Sequence, residues 1–184
     1  MSVEPLKVGV AGLGTVGVGV VKLLTQQANV ISQRSGRDIV VTSVSARDPS
    51  KERNVDLTAL DWCHDPLDLA IKQNVDVVVE LIGGESGVAK ELVEAAIHNG
   101  KNVVTANKAL IALHGTELAR LAERADVCIA FEAAIAGGIP IVKSLREGLV
   151  GNKISRIFGI LNGTCNYILS EMRQTGKDFC TVLK

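Results

Sequence analysis

The residues Gly12-Leu13-Gly14-Thr15-Val16-Gly17 set three glycines at the spacing G-x-G-x-x-G, directly after an apolar stretch and directly before one with helical periodicity. Gly12 permits a tight turn, Gly14 lets backbone approach a pyrophosphate, and Gly17 lets a helix lie close on its strand. The N-terminus of that helix attracts the phosphate charge. Alone the motif is generic; between a strand and a helix it points to a dinucleotide. The next strand bears on which one. It ends Val44-Ser45-Ala46-Arg47, an arginine region where NAD-specific sites place an acid. Arg47, with Lys51 nearby, suits a 2′-phosphate and favours NADP, while Asp48 keeps NAD open.

Other positions invite chemistry less directly. Lys108 ends Val103-Val104-Thr105-Ala106-Asn107-Lys108, at the strand edge where open α/β sheets bind ligands. A cation at a helix start opposes the helix dipole, so its placement has a cost. Two readings stand: an exposed helix-start lysine, or a group facing the cofactor ribose or a substrate carboxylate. Glu80 precedes Ile82-Gly83-Gly84 and is either a helix-approach carboxylate or part of the cofactor wall; Ile82 and Gly83 are read as cofactor neighbours. Near the C-terminus, Gly159 to Leu169 (GILNGTCNYIL) breaks an apolar run with Asn162-Gly163-Thr164. Asn-Gly suits a turn, and Thr164 suits the cap of a following helix whose free N–H groups could hold a carboxylate.

The elements that must position these residues alternate between two periods. Lys7–Ala11, Ile39–Val44, Val75–Leu81, Asn102–Thr105 and Val127–Phe131 are short and rich in β-branched residues, as strands buried on both faces are. Between them Val16, Val20, Leu23 and Leu24 recur at helical spacing, as do Val88, Leu92, Ala95 and Ala96, and Leu110, Leu118, Leu121 and Ala125. Strand–helix alternation predicts an α/β fold, a doubly wound parallel sheet. Residues 45–60 read as a solvated loop. After Phe131 the small, flexible stretch Glu132–Gly138 leads to a helix over Pro140–Leu149, a strand over Ser155–Leu161, and a helix capped by Asp178. The reading is a nucleotide-binding domain over 1–135 and the start of a second domain over 136–184.

Composition narrows the classes. Twenty basic and twenty acidic residues cancel, which argues against nucleic acid or an anionic membrane bound through net charge. No segment approaches the roughly 18 uninterrupted apolar residues of a membrane span, and no signal peptide is visible, so a cytoplasmic location is expected. Cys63, Cys128, Cys165 and Cys180 lie far apart and read as reduced thiols; His64, His98 and His114 are as scattered and suggest no metal site.

Taken in order, GLGTVG, VVELIGG, VVTANKAL, FEAAIAGGIPIVKSL and GILNGTCNYIL closely resemble the homoserine dehydrogenase family, over Val8 to Leu183. The resemblance implies a Rossmann-like domain followed by the start of an α+β substrate and dimerisation domain. It implies NAD(P)-dependent interconversion of homoserine and aspartate semialdehyde, in the biosynthesis of threonine, methionine and isoleucine, by a homodimer. By the same resemblance Gly163 and Thr164 contact the substrate, and Lys108 is a cofactor-side and catalytic group. Glu132 and the carbonyls of Ile135, Gly137 and Ile139 would hold a monovalent cation such as sodium; a glycine hinge is the competing reading of that stretch. The family's main catalytic aspartate and lysine follow the Asn-Gly-Thr motif, so the chain reads as a fragment, inactive alone. Two alternatives remain: another Rossmann oxidoreductase, such as an aspartate dehydrogenase or an aspartate-semialdehyde dehydrogenase using Cys165, and a non-catalytic dinucleotide-binding module.

Overall fold

The structure is a computed structural model that describes residues 3–159 and 163–183. It forms two compact units, Met1–Val142 and Lys143–Lys184. In the first, six parallel strands are ordered β3-β2-β1-β4-β5-β6. They are β1 (Leu6–Ala11), β2 (Ile39–Ser45), β3 (Asp61–Cys63), β4 (Val77–Glu80), β5 (Asn102–Thr105) and β6 (Ile129–Ala130). The order reverses between β1 and β4, and such a reversal opens a crevice at the strands' C-terminal ends.

Both faces of this sheet are covered. Val77 and Val79 point into one apolar cluster with Val8, Val10 and Val44, beside Val21 of α1 (Thr15–Gln26). Val78, between them, points into the other, with Leu92 and Ile97 of α4 (Val88–His98) and Leu110 and Leu118 of α5 (Lys108–Arg124). The unbroken valine run of β4 therefore follows from burial on two sides. The smaller helices of this unit are α2 (Ala28–Ser35), α3 (Asp68–Ile71) and α6 (Glu132–Ile135).

Two elements go beyond the expectations. The strand β3 was hidden because three residues carry too little periodicity to read; it is recruited by pairing Val44 with Trp62. Polar α2 lacks an apolar stripe and buries no residue, so nothing in its pattern announces it. The loop over 46–60 does stay irregular, held by local turns in which Asp48 accepts from Ser50, and Asp56 from Thr58. Those same hydrogen bonds lower the pKa of both carboxyls.

Beyond it, α7 (Ile141–Lys143) is followed by a π-helical turn over Ser144–Gly148, in which the Leu149 N–H reaches the Ser144 carbonyl at 2.8 Å. The helix expected over 140–149 is thus present but widened. The second unit also holds α8 (Gly163–Thr175) and α9 (Phe179–Leu183). Asp178 caps α9 as expected, accepting from the Thr181 N–H at 3.0 Å. Residues 155–159 of the expected strand form none, and the rest of it, 160–161, lies outside the described residues. A strand exists only as a ladder with a neighbour, and this unit supplies none among the described residues; Ile157 and Phe158 are exposed.

The packing of α1 on β1 yields a paired test. A Cβ on Gly17 would lie 1.8 Å from the Gly12 carbonyl oxygen, whereas one on Gly19 meets nothing within 4 Å. Gly17→Ala is expected to lower stability by about 2 kcal/mol or more, as overpacking does. Gly19→Ala should raise it by about 0.5–1 kcal/mol through helix propensity. Urea denaturation followed by circular dichroism reads both.

Candidate cofactor site

Three strand ends meet at Gly12. Its N–H donates to the Ser45 carbonyl at the end of β2 (2.8 Å), and the Leu81 N–H beyond β4 donates to Ala11 (2.8 Å). Gly12 turns with φ +97°, and a Cβ there would sit 2.5 Å from the Leu81 carbonyl oxygen. The turn is therefore closed to side chains on the protein's own side. Gly14 is the reverse case: a Cβ on it would meet nothing within 4 Å. Gly14 precedes α1 with no side-chain cap and no acid in the first turn. The N–H groups of Thr15, Val16 and Gly17 have no intrahelical acceptors and are available to an anion.

This glycine turn borders a cleft of about 620 Å³ at the order reversal. Gly12, Leu13 and Gly14 line it, as do Ala46, Arg47 and Asp48 from the exit of β2, and Leu81 and Ile82 from the exit of β4. The side chain of Leu13 is buried in the core. Arg47 is exposed, and the Asp48 carboxylate is turned into its own loop by Ser50. A side chain not singled out in the sequence, Arg53, ties this rim together. Its guanidinium donates to the carbonyls of Leu13 (3.3 Å), Lys51 (2.8 Å) and Asp48 (2.9 Å), and lies over the Trp62 ring at 5.4 Å. Only the fold brings Arg53 to Leu13, forty positions away, so spacing gave no sign of it.

On the other side of the reversal, Lys108 is the first residue of α5 and is exposed at the sheet's C-terminal edge. It is not among the residues lining the cleft, and neither is Gly83. Asn107 caps α5, its Oδ1 accepting from the Leu110 N–H at 3.1 Å. Glu80 is fully buried. Its carboxylate is engaged by the N–H groups of Ile82 and Gly83 and by the Thr105 hydroxyl. A carboxylate at the end of a two-sided strand is enclosed by the sheet's neighbours instead of meeting solvent.

The stretch after Phe131 folds on itself. Glu132 opens α6 and its Oε1 accepts from the Val142 N–H at 2.8 Å, while the Ile139 carbonyl accepts from Ile141 (2.8 Å). In the second unit α8 starts at Gly163, so Thr164 lies inside the first turn and not ahead of it. Asn162, part of the expected turn, lies outside the described residues. Cys165 is an exposed position in that same turn, and no disulfide forms among the described residues. No cluster of three or more His, Cys, Asp or Glu suited to a metal occurs among them. No helix of the described residues is long and apolar enough to cross a membrane.

Comparison with known proteins agrees with this geometry. Residues 12–132 match the family model described as the NAD-binding domain of homoserine dehydrogenase, and residues 140–184 match the model described as homoserine dehydrogenase. Homoserine dehydrogenase of Pseudomonas aeruginosa is 51% identical over 180 residues, which is 98% of this chain and 41% of that protein. The crystal structure of a homoserine dehydrogenase from Thiobacillus denitrificans superposes with a TM-score of 0.88 at 47% identity, covering 99% of this chain and 42% of the other. A hyperthermophilic archaeal homoserine dehydrogenase in complex with NADPH gives a TM-score of 0.80 at 25% identity, covering 98% and 60%. The chain thus spans about 41% of the length of the curated relatives it matches. On the closed glycine turn, the open Gly14 and these matches together, the chain belongs to the homoserine dehydrogenase family.

Proposed function

We propose that this chain is the cofactor-binding part of an NADP-preferring enzyme that interconverts homoserine and aspartate semialdehyde. The observation that carries the reading is the pairing of a closed Gly12 with an open Gly14 beneath uncapped helical N–H groups. That is a cradle suited to a pyrophosphate. When bound, the nicotinamide supplies or accepts the hydride. The residues of the chain bind and orient it. Thr15, Val16 and Gly17 offer backbone donors to the phosphates, and Arg47 offers its guanidinium to a 2′-phosphate. Internal capture of Asp48 by Ser50 supports the NADP preference, because that carboxylate is occupied where an NAD site would present one to the ribose.

Lys108 would contact the nicotinamide ribose and hold a proton near the reacting carbonyl, with Gly163 and Thr164 against the substrate. For the monovalent cation, the donor set of Glu132 with the carbonyls of Ile135, Gly137 and Ile139 is all oxygen, as a hard cation requires. A carbonyl has two lone pairs, so the bond from Ile141 leaves Ile139 able to serve. Cytoplasmic action as a homodimer, in the formation of threonine, methionine and isoleucine, completes the proposal.

Three measurements check it. Gly14→Val should keep the wild-type melting temperature, since its side chain enters open space, yet raise the NADPH dissociation constant at least about tenfold. Equal affinity would remove the glycine turn from the site. Arg47→Ala should weaken NADPH more than NADH, by roughly 1.5–3 kcal/mol for one charge-assisted hydrogen bond; equal losses would count against NADP selection there. In a protein joining this chain to the remainder its relatives possess, Lys108→Ala should cut NADP-dependent homoserine oxidation about a hundredfold or more, followed at the absorbance of NADPH. Turnover near wild type would take Lys108 out of the reaction.

A further inference from the structure

Glu80 ends β4 with no accessible surface, and among the described residues it forms no ion pair. Burying a carboxylate without a cation is expensive, so its partners have to be good ones. They are all hydrogen-bond donors. Oε1 accepts from the N–H groups of Ile82 (2.8 Å) and Gly83 (3.1 Å), and Oε2 accepts from the Thr105 hydroxyl at 2.6 Å. The Thr105 oxygen in turn accepts from the Asn107 N–H at 3.0 Å. Asn107 then donates from Nδ2 to the Gly84 carbonyl at 2.6 Å, while its Oδ1 caps α5. The path closes on itself: it leaves Glu80, crosses to β5, and returns to the loop that follows Glu80.

Two pieces of backbone are fixed by that ring. One is the 82–84 loop, where Gly83 and Gly84 both take positive φ, at +83° and +91°. The other is the start of α5, where Lys108 follows the cap directly. Both lie on the β4–β5 side of the order reversal. In a doubly wound sheet the two halves of a dinucleotide lie on opposite sides of that reversal, and the glycine turn and Arg47 already account for the adenosine side. The ring also decides which polar groups the loop has left. With the N–H groups of Ile82 and Gly83 committed to Glu80 and the Gly84 carbonyl to Asn107, the loop keeps the carbonyl oxygens of Ile82 and Gly83 for a ligand, and these suit the amide and hydroxyl donors of a nicotinamide riboside.

We propose that Glu80 is a positioning residue: through Thr105 and Asn107 it locks the 82–84 loop to the start of α5, and so shapes the nicotinamide half of the cofactor site without touching the cofactor. The inference rests on the dinucleotide reading given above, and adds which buried side chains set one half of that site. A carboxylate suits the task because it accepts from three donors at once. Glutamine in the same place turns one oxygen into a donor, and either the loop or Thr105 loses its acceptor.

The test separates the two halves of the ligand. NADPH and 2′,5′-ADP, which lacks the nicotinamide half, are titrated calorimetrically into the wild-type protein and its Glu80→Gln, Thr105→Val and Thr105→Ser variants, with melting temperatures recorded alongside. Glu80→Gln and Thr105→Val should weaken NADPH about tenfold and leave 2′,5′-ADP within about twofold of wild type. Thr105→Ser keeps the hydroxyl and should restore NADPH binding, which a general loss of packing would not do. The Thr105 pair decides the matter even if Glu80→Gln fails to fold. Unchanged NADPH affinity in Thr105→Val, parallel losses for both ligands, or a serine variant no better than valine would each overturn the role of Glu80. A wild type that binds neither of these ligands nor NADH would overturn the dinucleotide reading itself.

Discussion

The first unit depends on two absent side chains. Helix α1 can lie across the end of β1 only because nothing projects from Gly17 toward the Gly12 carbonyl, and β1 can turn there only because nothing projects from Gly12 toward Leu81. That close approach brings the exits of β2, β1 and β4 together through the bonds from Gly12 to Ser45 and from Leu81 to Ala11. Everything on the cleft's rim inherits its position from this crossing: Arg47 follows β2 and Ile82 follows β4. The helix N-terminus is aimed by it as well.

What the sequence made legible, and what it hid, follows the range of the interactions involved. The glycine turn and its helix could be read because the constraint is local: six adjacent residues, with one helical period after them. The valine run of β4 could be read because two-sided burial leaves a mark on every residue. The Glu80 ring could not be. Glu80 and Thr105 are twenty-five positions apart, and they meet only because β4 and β5 pair in parallel with those two residues in register. Arg53 was hidden for the same reason, its partner Leu13 being supplied by another strand's exit.

The misread segments teach a complementary point. Residues 155–159 have a strand's composition without its ladder, and composition alone does not satisfy backbone N–H and C=O groups. In the opposite sense, β3 has almost no composition to show yet forms, because β2 offers it an edge. Strand identity in this chain is decided by neighbours, whereas its longer helices are decided largely by their own sequence. Asn107 shows the latter plainly, capping a helix of 17 residues that begins one residue later.

Trp62 has a consequence of a different kind. It is the chain's one tryptophan, seated on the edge strand β3 beneath a guanidinium that also grips the glycine turn and the loop leaving β2. Its indole is half-buried, with the ring nitrogen enclosed and unpartnered among the described residues. Emission excited in the red edge of the ultraviolet therefore arises from this single point. A shift of Arg53 over the ring changes the local field at the chromophore, so the β2 side of the cleft carries its own optical reporter without any label.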